Sequence, residues 1–284
     1  MSVKTMISVL HQKYSFEAHN LQCCRAITIA RGETAACYDL SYAKLPKYGH
    51  LLRRHNPSTM FKLVPYERHD FTKNPQFKRL FVCLQACKNW FLDRCRPFIG
   101  LDECHLKGRY GGVLLSAISV DGNNGIYPVA FGIVEVENKD SWVFFFHCLE
   151  STLRLDYLDI GLTFMSDKQK GHADVIAGIV LGAHHRNCCR HLYSNFKASF
   201  PGLLLKTQFW IACKEPNEFI YNKAIERIKE VNKEAYDWLV KNNQPSMWCR
   251  HAFDKRAKSD HVTNNMTESF NNWNGELRSK PILI

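Results

Sequence analysis

Apolar positions follow different rhythms along the chain. Up to residue 96 they recur at helical spacing: Ile7, Leu10 and Tyr14 make one stripe, and Phe77, Leu80, Phe81, Leu84 and Cys87 a clearer second one. Asn56-Pro57-Ser58 between them is a turn signal. From Pro97 the rhythm shortens to that of strands, over residues 98–102, 113–120 and 126–136. Tyr110-Gly111-Gly112 and Asp121-Gly122-Asn123-Asn124-Gly125 separate them, and connections that short demand antiparallel pairing. Pro128 favours an edge position for the third strand.

Helical spacing then returns. Trp142, Phe145, Phe146, Leu149 and Leu153 form one stripe fit to cover a sheet. Residues 162–167 read as another apolar strand, and a strand reached through a helical crossover lies parallel to the first. A helix over 172–181 and a short strand over 183–188 follow. A long helical segment occupies about 201–240, with Tyr221, Ala224, Ile225, Ile228, Val231, Ala235, Trp238 and Leu239 on one face. A last helix is expected over 262–280. The fold class implied is α/β: a ribonuclease-H-like mixed sheet, three antiparallel strands followed by parallel ones, with a helical insertion at about 201–260. Residues 1–96 make a basic helical region and 97–284 the core.

Charge sharpens that division. The 284 residues carry a formal net charge of +11, and residues 1–96 hold 16 Lys and Arg against 6 Asp and Glu. Such a block suits an acidic partner, nucleic acid above all; a merely soluble basic surface is the plainer account. Lys44, Lys47, Arg53, Arg54 and His55 interleave with Tyr42, Tyr48 and Phe61, which suits a helical module on a phosphate backbone, and solvated helix faces explain the mixture too. No apolar run approaches the roughly 18–20 residues of a membrane span, and residues 1–20 lack the uninterrupted apolar stretch of a signal peptide. The 12 cysteines are therefore expected to be mostly buried free thiols in a reducing, intracellular compartment.

Two apolar strands end abruptly in a carboxylate, Asp102 and Asp167. Parallel strands deliver such residues together at their C-terminal ends, and a late helix carries Glu268. Three acids of this kind suit two divalent ions about 3.5–4 Å apart, because hard cations prefer oxygen ligands. Turn-initiating or solvated acids are the plainer alternatives. Glu103 should point to the opposite sheet face from Asp102.

Longer motifs carry a family resemblance. Asp102-Glu103-Cys104-His105-Leu106-Lys107-Gly108, Val134-Glu135-Val136-Glu137-Asn138-Lys139-Asp140-Ser141-Trp142, Ser166-Asp167-Lys168-Gln169-Lys170-Gly171 and Asn264-Asn265-Met266-Thr267-Glu268-Ser269-Phe270-Asn271 stand in the order of, and resemble, the core of plant Mutator-like element transposases. The resemblance implies a DDE-type nuclease and strand-transferase. Asp102, Asp167 and Glu268 would be its catalytic metal ligands for Mg²⁺ or Mn²⁺, and double-stranded DNA its partner. It also implies a nuclear location and a homo-oligomer when active. Lys107, Lys168 and Lys170 would flank the metal pocket and hold phosphates, or simply be solvated.

Cys188 and His191 match the family's Cys-x-x-His signature. Either they form a zinc site completed by Cys249 and His251, or Cys188 is packed and His191 orients a carboxylate or backbone group. Glu103 stands where the family usually has Gly. An N-terminal DNA-binding region and a C-terminal zinc knuckle are not visible, so a fragment or decayed copy is expected. The rival readings are an inactive descendant that binds DNA and regulates transcription, and a ribonuclease-H-like exonuclease acting on RNA or hybrid.

Overall fold

One mixed sheet organises the chain. The computed structural model describes residues 2–72, 74–154, 161–167 and 172–283. In it the strands are β1 (Met60–Pro65), β2 (Phe77–Cys83), β3 (Cys95–His105), β4 (Val113–Asp121), β5 (Ile126–Val134), β6 (Thr163–Ser166) and β7 (His184–Asn187). Across the sheet they lie β1-β2-β5-β4-β3-β6-β7. The first five pair antiparallel, and β6 and β7 join β3 in parallel. This is a mixed α/β fold on the ribonuclease-H-like plan, widened by β1 and β2.

Helices cover both faces. Helix α1 (Val3–Tyr14) buries no residue. It precedes α2 (Asn20–Ala43) and α3 (Leu45–His55), which pack Leu45 onto Phe61, Leu80, Val82 and Ile133. The opposite face is closed by α4 (Gln85–Arg94), α5 (Lys139–Leu153) and α6 (His172–Ile179). The stripe read from the sequence on α5 is buried in full, Trp142 through Leu153. Asn138 starts that helix by accepting from the Ser141 N–H at 2.9 Å, an ordinary N-cap.

A helical module follows β7. It comprises α7 (Cys189–Ser199), α8 (Leu203–Lys214), α9 (Glu218–Val231) and α10 (Lys233–Asn242), packed around Phe196, Phe209 and Trp248. The chain then returns to the sheet, where α11 (Asn265–Trp273) lies across β3, β4 and β5 on the α3 side.

Four sequence expectations need correction. The stripe Phe77–Cys87 is not a helix up to Cys83. Leu80 and Val82 face α3 while Phe81 and Cys83 face α5, and a strand buried on both faces shows no alternation to read. The sheet therefore starts at Met60, well before residue 97. Pro128 does not mark an edge, since β5 lies between β2 and β4. It is tolerated because it falls at a register shift opposite Ile118, while β2 reaches only Phe131, Gly132 and Ile133. The segment after Pro216 is two helices, because Asn232 stops α9 and caps α10 through the Ala235 N–H at 2.9 Å; Val231 is left exposed. The last helix is shorter than 262–280, ending at Trp273.

Candidate active site

Strand register brings two of the acids together. Gly100 pairs with Met165; two residues further along each chain stand Asp102 and Asp167. They are level on neighbouring parallel strands, which run about 5 Å apart. Asp102 shares a face with Gly100, under α11, where Asn271 Nδ2 donates to its Oδ2 at 2.8 Å. Burial, and next the charge of Asp167, push the Asp102 carboxyl up to about 6.

Helix α11 carries the third acid to the same side of the sheet. Thr267 and Asn271 are buried on the face that meets Asp102, and Glu268, one position round from Thr267, reaches the Arg190 guanidinium. The first turn of α7 touches every part of the arrangement. The Asn264 N–H, just before α11, donates to Cys188 Sγ at 3.3 Å. Arg190 pairs with Glu268, and His191 Nδ1 pairs with Asp167. Those hydrogen bonds, to Asp167 first and then Cys188, hold the His191 imidazole up at about 10, so it is a cation at neutral pH.

Glu103 points the other way, as alternation requires. Burial first, then Glu137 just before α5, raise its carboxyl to about 8.

The remaining candidates are placed as follows. Lys107 is exposed just beyond β3, at the end of that strand where Asp102 sits. Lys168 and Lys170 lie outside the described residues. Arg53 and Arg54 end α3, are largely exposed, and belong with β1 at one sheet edge. That edge is four strands, about 19 Å, from β3, so they are not brought to the acids.

The Cys₂His₂ set does not assemble. Cys249 lies in the helical module's core beside Cys213, and His251 stacks on Tyr221 at 4.2 Å. Among the described residues the one group of three metal-type ligands is Asp167, Cys188 and His191, with ligand atoms within 4.8 Å of one another.

Sequence reasoning missed Arg190, Asn264, Thr267, Asn271 and Gly100. The first four act across long sequence separations and carry no local pattern. Gly100 did carry a signal, a glycine inside an otherwise bulky strand, which marks close backbone approach. A Cβ there would lie 2.4 Å from Asn264 Oδ1 and Met266 Cε and 2.9 Å from Thr267 Cγ2.

Residues 98–195 match the MULE transposase domain family. The chain contains a MULE transposase domain. The matched residues include Asp102, Asp167, Cys188, Arg190 and His191; α11 with Glu268 comes after the MULE match and joins it through the contacts above. No curated protein matches the chain. No described helix is long and apolar enough to cross a membrane.

Buried acceptors around Asp102 fit a cation. Asn271 Oδ1 is buried without a donor, beside a carboxyl already strained by its neighbour's charge. Asn271→Ala should weaken divalent-metal binding by about 10–100-fold, the usual effect of losing a group that orients a ligand. Calorimetric titration with Mn²⁺ checks this; unchanged affinity would show that Asn271 does not position Asp102.

Proposed function

We propose that this chain is the catalytic core of a DNA transposase, cutting DNA at element ends and joining the freed strand to target DNA. The observation that carries the reading is the convergence of Asp102, Asp167 and α11 on one sheet face. Two acids stand level at adjacent strand ends, and the helix bearing Glu268 crosses above one of them. Their oxygens suit Mg²⁺ or Mn²⁺. Such ions would activate an attacking water or 3′-hydroxyl and stabilise the leaving oxygen.

The chain's own residues prepare that chemistry. Asp102 and Asp167 present oxygens from a rigid sheet, with Asn271 fixing one carboxylate and His191 the other. Glu268 is held by Arg190 in a pair whose side chains are 31% and 59% exposed. Exposed pairs of this kind are worth only about 0–1 kcal/mol, so Glu268 is released to a cation at little cost. Arg190 is then free for a phosphate oxygen. Acting on chromosomal DNA, the protein would work in the nucleus.

The deciding experiment is Mg²⁺- or Mn²⁺-dependent nicking of terminal-repeat DNA by the full chain. Cutting that disappears with Asp167→Asn supports the reading. DNA binding without cutting would favour an inactive descendant, a form that the cationic partners of Asp167 and Glu268 would stabilise.

The basic helices supply duplex affinity in this reading. Removing residues 1–96 would remove β1 and β2 from the sheet, so charge reversal is the sound test. Arg53→Glu with Arg54→Glu should lower the slope of log K against log salt by about 2. An unchanged slope would place the DNA surface elsewhere.

A further inference from the structure

Helix α11 has a second flank. Thr267 and Asn271 face Asp102, while Phe270 and Asn274, three residues further on in each case, line a cavity of about 320 Å³. The cavity lies on the same sheet face, over Leu114, between α11 and α2. Leu106 and Gly108 on its wall continue β3 beyond Asp102, about 13–20 Å along the chain.

Aromatic rings dominate the wall. Tyr110 meets Tyr38 and Tyr42 edge-on, with centroids 6.1 and 5.6 Å away. The Tyr38 hydroxyl donates to the Ser279 carbonyl and the Tyr110 hydroxyl to Asp39, so both rings are fixed before any ligand arrives. Beside them the Arg278 guanidinium is half-buried. Its Nε has no hydrogen-bond partner, and no carboxylate among the described residues pairs with it. Lys107, Arg109 and Lys280 stand exposed nearby in the chain.

A hollow of fixed aromatic rings with an unneutralised cation is complementary to a flat ring joined to an anion. An aliphatic or peptide occupant would leave Arg278 without a counter-charge. The volume is at the small end of ligand pockets, enough for one such unit and not for several. We propose that this cavity holds one unpaired nucleotide of the DNA strand engaged by the acids, its base among the tyrosines and its phosphate on Arg278. The proposal rests on the reading of those acids as a DNA-cutting site. Stacking of this kind tolerates any base, since each has a π-face. It costs least where the base is already out of the helix.

The test uses the full chain in EDTA, where no cutting occurs. Its probes are two DNA duplexes, one with a single bulged 2-aminopurine and one with 2-aminopurine paired to thymine. The expected result is about tenfold tighter binding of the bulged duplex, with the probe's fluorescence quenched. Tyr110→Ala, at an exposed position, and Arg278→Gln should each remove most of that preference. Both should leave the thermal melt unchanged and the paired-duplex affinity within about threefold. Equal affinity of the wild type for the two duplexes, or a preference that survives both substitutions, would overturn the proposal. Nicking without bulge preference refutes the cavity assignment alone, and bulge preference without nicking refutes the cutting reading alone.

Discussion

Asp102→Asn should reduce metal-dependent nicking by more than about 100-fold, beyond what loss of an orienting group costs, and raise the melting temperature of the metal-free protein. Both effects come from one arrangement. The Asp102 carboxyl titrates at about 6 in the folded chain because burial and the charge of Asp167 oppose its ionisation. In the unfolded chain it titrates near 3.9. A group whose folded value is raised stabilises the fold fully below the unfolded value, and that contribution is lost as pH rises through the folded one. The window is thus about pH 4 to 6, and above it the penalty reaches roughly 3 kcal/mol at about 1.36 kcal/mol per unit. Asn carries no proton to lose and its amide oxygen still accepts from Asn271. At pH 7 in EDTA the variant should melt a few degrees higher, at roughly 2–4 °C per kcal/mol for chains of about this size. Melting curves of both proteins from pH 4 to 8 decide the matter: the wild type should fall away from the variant between pH 4 and 6. Parallel curves would mean that Asp102 is not under that strain, and the main reason for expecting a cation beside it would be gone. Gain of stability with loss of activity is the usual mark of a residue kept for chemistry.

Much of this site was legible in the sequence because its parts are local. A bulky strand that stops at a carboxylate says so within a few residues, as both Phe98-Ile99-Gly100-Leu101-Asp102 and Thr163-Phe164-Met165-Ser166-Asp167 do. The α5 stripe is equally local, and it forces the crossover that makes β6 parallel to β3. What was not legible depends on both neighbours of an element at once. Strand β2 reads as a helix because Leu80 and Phe81 are both buried, on opposite faces. Cys249 and His251 have a ligand-like spacing, yet the aromatic core around Phe209 and Trp248 claims them. The role of Cys188-x-x-His191 emerges only in three dimensions. One turn of α7 holds Asn264 by Cys188, Glu268 by Arg190 and Asp167 by His191, joining the acid after β6 to the helix bearing the last acid.

Gly100 is where that joining is most vulnerable, and Gly100→Val is expected to have the second large effect. The strand and α11 approach so closely that even a Cβ meets Met266 Cε and Asn264 Oδ1 at 2.4 Å and Thr267 Cγ2 at 2.9 Å. The first two are ends of side chains. Met266 can turn aside, but Asn264 is tied by its Nδ2 to the Leu101 carbonyl at 2.8 Å and is buried. Thr267 is a stiff, β-branched residue of the helix itself, so the backbone of α11 must give way. Gly100→Ala therefore calls for a small shift, and valine, with two further methyl groups, for a larger one. Overpacking of this order costs about 1–3 kcal/mol. The catalytic loss should exceed the stability loss, because displacing α11 moves Asn271 off Asp102 and carries Glu268 with it. A misplacement of about 1 Å in a reacting arrangement costs on the order of 100-fold. The expected result is a protein that melts several degrees lower, still binds duplex DNA in EDTA as the wild type does, and nicks at about 1% of the wild-type rate or less. Alanine should fall between the two. Normal nicking by the valine variant would show that Glu268 need not sit where α11 holds it, and the third acid would have to be sought elsewhere in the chain.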